Sequence, residues 1–431
     1  MRIELSFGRG TLPVDLPAGL EVTVIRKPAM PVLQDAGAAV RAALDRPVGA
    51  RPLIEEARGK KSACILICDV TRPVPNALLL QPIVRDLMAA GMPAAGITVL
   101  VATGLHRPNL GAELDELVGD PWVQETVRVE NHYARNDEDH LDLGFTPSGT
   151  PVKLDRRFVQ AELKLVTGLV EPHFMAGYSG GRKVIAPGVA HRDTITTFHS
   201  ERFMSNPRAE NCVLSGNPLH EEQLVIAGMV GPVLSADVVI DEARRLSFIS
   251  FGEVVQSHAR AVAFAERHAR VPVSRRFKTV VTSAAGHPLD KTYYQTVKGM
   301  VAPLDILEPG GNLIVASECS EGMGSAGFVE AQRRLLRLGP DGFLREIAKK
   351  RFADIDEWQT QMQIKSMRAG RIQLYCTGPV DRALTGVAAI ESVARAVEES
   401  AREMRDPQVA VVPEGPYVVP FFQPAGGAAP G

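Results

Sequence analysis

The sequence predicts an α/β protein, and three observations predict it. Residues 62–68, Ser-Ala-Cys-Ile-Leu-Ile-Cys, form a near-continuous apolar run, the pattern of a parallel strand covered on both faces. A stretch with helical spacing, Asn76 to Ala90, separates that run from a second one at Gly96 to Val101. Each run ends in a polar loop containing Gly or Pro, and the carboxyl edge of a doubly wound sheet is where ligands bind.

The elements follow in order. Residues 1–30 alternate apolar and polar at Arg2–Phe7 and Glu21–Ile25, which predicts two edge strands around a Gly/Pro turn. Residues 33–58 carry helical spacing. The first buried strand runs into Asp69-Val70-Thr71-Arg72-Pro73-Val74-Pro75, and the second into Ala102-Thr103-Gly104-Leu105-His106-Arg107-Pro108. A third strand, Glu162 to Thr167, feeds the loop Glu171 to Lys183, so three polar loops are expected on one rim. Residues 206–270, with repeated Ala, Val and Glu, read as helical. A second unit starts at Lys278–Ser283 and continues as helix 292–301, strand 312–317, helices within 327–369, strand 373–376, helix 380–405 and strand 408–412. We therefore expect two Rossmann-like α/β domains: an N-terminal one over residues 1–272, a C-terminal one over 273–415, and a tail over 416–431, fraying from Pro424.

Composition excludes little but is consistent. The chain has 431 residues, 45% of them hydrophobic and 23% charged, with a net charge of −2. That is ordinary globular composition, with no global pull toward nucleic acid or anionic membrane. The five cysteines are odd in number and scattered; Cys64 and Cys68, in the first apolar strand, read as buried thiols rather than metal ligands or a disulfide. With no leader pattern and no apolar run of about 18 residues, we expect a cytoplasmic protein.

The chemistry is concentrated in Glu171–Ser200. His173, Lys183 and His199 fall within thirty residues, and the turn Gly177-Tyr178-Ser179-Gly180-Gly181 precedes the lysine. Glycines permit backbone N–H groups to converge on an anion, so the turn is expected to cradle a phosphate. Lys183, flanked by Val184 and Ile185, has the partial desolvation that frees an amine as a nucleophile. His199 follows a helical run and suits either a metal or a helix end. His106 and His173 are of the type that exchanges protons at neutral pH. Asp69, Thr71 and Arg72 place a carboxylate, a hydroxyl and a guanidinium after a buried strand. Gln295 and Lys298 share one helix face and can receive a small carboxylate. Gly322–Gly327 spells G-x-G-x-x-G, but residues 318–321 separate it from its strand and no suitable acid follows, so dinucleotide binding there is disfavoured.

Six segments in order, DVTRPVP, ATGLHRP, EPHFMAGYSGGRK, TTFHS, YYQTVKG and the EWQ around Trp358, together resemble the lactate racemase family. The resemblance implies nickel and a pyridinium-3,5-bisthiocarboxylic acid mononucleotide, the nickel-pincer nucleotide, covalently attached at Lys183. It implies that His199 is the one protein ligand to the metal and that His106 and His173 flank the substrate as alternate bases. Arg72, Tyr294, Gln295, Lys298 and Trp358 are then expected to bind substrate. Asp69, Thr71, Ser179, Gly180 and Gly181 are expected to seat the nucleotide. The implied reaction inverts C2 of a small 2-hydroxy acid through hydride transfer and a 2-keto acid, in a cleft between the two domains. Lactate is expected first and malate close behind, the latter needing a further cation such as Arg107 or Arg182. Implied partners are the 2-hydroxy acid and the proteins that build the nucleotide, with neither nucleic acid nor membrane. A nicotinamide-dependent dehydrogenase using Gly322–Gly327, or a non-catalytic carrier of the nucleotide, are the alternatives.

Overall fold

The structure is a computed structural model that describes residues 1–424; the segment expected to fray, Pro424 to Gly431, lies outside the described residues from 425 on. The chain divides into two compact units. One comprises residues 29–199 and 206–267; the other comprises 1–28, 200–205 and 268 onward.

The first unit is built on a six-stranded sheet in the spatial order Leu246–Glu253, Leu234–Ile240, Leu163–Leu169, Ala63–Cys68, Ile97–Ala102, Arg128–Asn131. All neighbours are parallel except the first pair. Ala63–Cys68 is buried at every position, as its unbroken apolar run requires. Its two neighbours are the strands that precede the other polar loops, so the three loops after residues 68, 102 and 169 share one carboxyl edge. Two of these strands lie in the segment read as helical. Leu234–Ile240 and Leu246–Glu253 form an antiparallel pair, with helices only at Pro218–Gly228 and Val254–Ala269. The β-branched pair Val238-Val239 and a five-residue reversal at 241–245 outweigh the Ala content that suggests helix.

The second unit carries its own six-stranded sheet, all parallel, in the order Ala388–Ala389, Gly370–Tyr375, Leu307–Ala316, Phe277–Ser283, Gln408–Val412, Glu21–Val24. This differs from the 1–272/273–415/416–431 division. Glu21–Val24 pairs with Gln408–Val412, and the hairpin Arg2–Phe7/Gly10–Asp15 buries Ile3, Leu5 and Val14 against Val281, Ile314 and Val409. Burial of those side chains overrides sequence proximity. Residues 419–422 of the expected tail are also a strand, paired with Arg270–Val273. The helix expected over 380–405 is confined to Val393–Met404. Among the described residues no helix is long and apolar enough to cross a membrane.

Candidate active site

In the first unit the three loops are stitched to one another. Asn109 Oδ1 accepts from the Val70 amide (3.3 Å), tying the first loop to the second. The Gly104 amide donates to the Gly188 carbonyl (2.8 Å), tying the second to the segment after Lys183. Arg72 Nη1 lies 2.5 Å from Glu171 Oε1, tying the first to the third.

Within this framework His106 Nδ1 meets Asp69 Oδ2 at 2.6 Å, and Thr71 Oγ1 donates to Asp69 Oδ1 (2.5 Å). Burial alone would raise the Asp69 carboxyl, but the His106 ring, the Thr71 hydroxyl and Arg72 together hold it below its ordinary value. An ionised carboxylate only accepts, so His106 Nδ1 carries the proton and Nε2 of the neutral ring is the basic nitrogen. His173 is set the other way. It opens a two-residue hairpin with Gly177–Tyr178, and its Nδ1 accepts from the amides of Ala176 (3.2 Å) and Met175 (3.4 Å). Its neutral ring therefore carries Nε2–H. One imidazole is poised to take a proton and the other to present one.

Two amides of the glycine turn are engaged within the protein. The Gly181 amide donates to Asp237 Oδ1 (2.8 Å), and the Ser179 amide to the Glu171 carbonyl (2.9 Å). Ser179 Oγ donates to Leu169 O (2.7 Å) and accepts from the Glu171 amide (3.1 Å). These donors serve the turn itself, which is tight: a Cβ on Gly180 would fall 2.6 Å from Val170 Cγ2 and 3.0 Å from Asp237 Oδ1. Beneath it the wholly buried Arg182 spans the carbonyls of Ala176 and Tyr178 (3.0 Å each) and the ring of His258 (2.8 Å). The turn thus fixes the backbone from which Lys183 projects. Burial pushes the Asp237 carboxyl up to about 6, against the hydrogen bonds it receives.

His199 caps the helix Arg192–Phe198 and is 8% exposed. Its Nδ1 lies 2.9 Å from the Ile195 carbonyl and must donate to it, which leaves Nε2 as the lone-pair nitrogen that a metal binds. Burial, aided by the nearby Lys183 charge and opposed by the Ile195 bond, lowers the ring to about 4, so it stays neutral. The Lys183 charge also reaches Cys68 at the end of the first strand. Among the described residues no three His, Cys, Asp or Glu side chains converge as a metal site. A single imidazole fits a metal held mainly by another molecule. The start of the same helix is braced by a row of three imidazoles: His132, His140 and His191 meet edge to face at 5.1 and 4.9 Å. His132 reaches Asp155 (3.0 Å) and the Ala190 carbonyl (3.1 Å), and His191 Nδ1 accepts from the Asp193 amide (3.2 Å).

In the second unit, helix Tyr293–Val301 is capped by Thr292 and packs on Glu357–Ala369. Tyr294 shares a side-chain hydrogen bond with Trp358, and Gln359 Nε2 donates to the Tyr294 carbonyl (2.6 Å). Gln295 and Lys298 are half-buried on this helix, and Gln295 Oε1 is a buried acceptor without a protein donor. Glu357, itself buried, anchors the second helix to Arg334 (3.0 Å) and Lys350 (2.8 Å).

Residues 7–211 match the lactate racemase N-terminal domain, and residues 274–419 match the lactate racemase C-terminal domain. The chain is 34% identical over 328 residues to a lactate racemase of Thermoanaerobacterium thermosaccharolyticum, covering 76% of each. It is 30% identical over 387 residues to one of Lactiplantibacillus plantarum, covering 88% of this chain and 90% of that protein. The chain belongs to the lactate racemase family. It is an isomerase, a racemase. Its fold matches the lactate racemase apoprotein of T. thermosaccharolyticum with a TM-score of 0.89 at 28% identity, over 97% of this chain and 100% of that one. A Thermotoga maritima protein shares the fold alone, with a TM-score of 0.69 at 17% identity over 90% of this chain and 98% of that one.

Two sequence candidates fall to the scaffold of this racemase. Arg182 is buried on carbonyls, and Arg107 forks onto Glu113 at 2.6 and 2.7 Å. In the glycine-rich 322–327 segment, the Gly322 and Met323 carbonyls accept from the amides of Tyr293 and Tyr294. That segment caps a helix rather than presenting N–H groups to a pyrophosphate. Sequence reasoning missed Glu171 as the partner of Arg72, and Asp237, Asn109 and Gln359. A lone acid within the run Leu234–Ile240 was the available signal for Asp237; Glu171 and Gln359 lie in the EPHFMAGYSGGRK and EWQ segments but were given no role, and nothing local marks Asn109.

Proposed function

We propose that this enzyme racemises lactate, with His199 and Lys183 holding the nickel-pincer nucleotide. The observation that carries the reading is the His199 ring, buried, neutral and locked with Nε2 as acceptor within reach of the Lys183 charge. That is the state a nickel ligand requires, and imidazole suits nickel. When bound, the nucleotide supplies the hydride acceptor and donor that inversion through a 2-keto acid needs. The remaining work belongs to the chain. His106 takes the hydroxyl proton at Nε2, and Asp69 stabilises the imidazolium that results. His173 holds the substrate oxygen with Nε2–H, and His106, now an imidazolium, returns the proton to that oxygen as the hydride comes back. Arg72, oriented by Glu171, takes the substrate carboxylate. For the second unit we propose that Gln295 and Lys298 bind a carboxylate and that Tyr294 and Trp358 wall that site. Asp69 and Thr71 help seat the nucleotide, whereas Ser179, Gly180 and Gly181 act by placing Lys183.

Lactate is favoured over malate because Arg107 and Arg182, the cations a second carboxylate would need, are engaged elsewhere. We place the reaction in the cytoplasm, in line with five cysteines that are all free thiols, and infer the nucleotide-building proteins as partners. The test is polarimetry of purified, nucleotide-loaded protein with one lactate enantiomer. Rotation decaying to zero without added nicotinamide supports the reading. Stable rotation supports a carrier, decay only with malate reassigns the substrate, and turnover dependent on nicotinamide restores the dehydrogenase.

A further inference from the structure

A cavity of about 520 Å³ lies in the first unit, and no part of the chemistry above uses it. Leu246–Glu253 is an edge strand of its sheet. Residues 33–48 cover that edge only at its ends, through Leu33 N to Leu246 O (2.9 Å), Val48 N to Phe251 O (2.8 Å) and Glu253 N to Val48 O (2.8 Å). Between these anchors the helix Ala36–Asp45 arches over the strand. Ala39, Ala42 and Ala43, one helical face by spacing, leave the space that Phe248 and Phe251 wall below.

Three polar features converge on this apolar chamber. Arg46 and Arg260 both line it, both are exposed, and neither guanidinium has a carboxylate partner among the described residues. The adjacent acid, Asp45, is given to Arg41 at 2.8 Å. Ser250, 4% exposed, also lines the cavity, and its Oγ has no hydrogen-bond partner. Two exposed guanidiniums line one chamber with no carboxylate to offset their charge, which favours an anion there. A buried hydroxyl with no partner costs stability until something accepts from it. The volume is in the range of small-molecule sites.

We propose that this cavity binds an aliphatic or aryl carboxylate. Its carboxylate is forked by Arg46 and Arg260 and accepts from Ser250 Oγ, and its apolar body lies between the alanine face and the phenylalanines. The site is one strand away from the catalytic turn, since Ser250 stands opposite Asp237 in the strand register.

The experiment is isothermal titration calorimetry of the purified chain with decanoate, with decylammonium as the matched cation. The site predicts saturable one-to-one binding of decanoate and none of decylammonium. The Arg46→Gln/Arg260→Gln double variant should weaken binding about tenfold or more, because exposed arginines can be replaced without unfolding the chain but their loss removes both charge-assisted bonds. Ala42→Phe, which fills the chamber and leaves both arginines, should abolish binding; if it does not fold, as judged by near-ultraviolet circular dichroism, Ser250→Ala takes its place and should weaken binding several-fold. Absence of decanoate binding, equal binding of decylammonium, or unchanged affinity in the double variant overturns the proposal. None of these outcomes depends on the racemase reading, since no nucleotide is needed.

Discussion

Asp69 gives His106 its chemistry. The carboxylate fixes the tautomer and neutralises the ring when it gains a proton, so Asp69→Asn should lower kcat about 100-fold, within the range for general acid–base catalysis. The acid limb of kcat/KM should also move to lower pH, because the imidazolium loses its counter-charge. Lactate enantiomers have equal free energy, so kcat/KM measured from either one must fall by the same factor; an unchanged kcat would remove Asp69 from the proton transfer. Lys183→Ala should lose the covalent nucleotide by intact mass, and His199→Ala should lose nickel by metal analysis while retaining the adduct. Retained nickel in the latter would remove His199 from the metal. At this scale the sequence showed the reactive side chains and not their partners. His106 and Asp69 stand 37 residues apart, and Arg72 and Glu171 stand 99 apart. Such pairings arise from sheet order, which no local pattern records.

The turn before Lys183 shows what the elements add. Its glycines were legible as a special conformation, and the structure adds its internal closure around Asp237 and Arg182. Gly180, at φ +81° with Val170 and Asp237 where a Cβ would stand, has no room for a methyl group. Gly180→Ala should cost about 1–3 kcal/mol in chemical denaturation and reduce adduct formation at Lys183. Unchanged stability would mean that the turn is looser than the packing shows. Asp237 lay beyond a sequence reading because its strand was taken for helix. The parallel strands were legible because burial on both faces leaves a continuous apolar run. The antiparallel pair at the sheet edge leaves a mixed one.

Over the whole molecule, acid stability should follow the buried imidazoles. His140 is 6% exposed, and burial, opposed by the Asn136 carbonyl, lowers it to about 4 from the ordinary value near 6.5. The unfolded chain then binds the extra proton first, so stability is unaffected above pH ~6.5 and falls as pH drops from there to ~4, by about 3 kcal/mol. Asp237, raised to about 6, acts in the opposite direction, so the readout is the difference between wild type and His140→Phe. The variant should lose less stability across that window; parallel curves would remove His140 as the cause. The N-terminal segment is a second global feature the sequence concealed, since pairing of Glu21–Val24 with Gln408–Val412 spans nearly the whole chain. The central claim, inversion by removal and return of a hydride at C2, is tested most directly by incubating the loaded enzyme with one enantiomer of 2-deuterolactate in ordinary water. Racemic product that keeps its deuterium at C2, read by mass spectrometry, is the expected result. Racemic product with solvent hydrogen at C2 would contradict it.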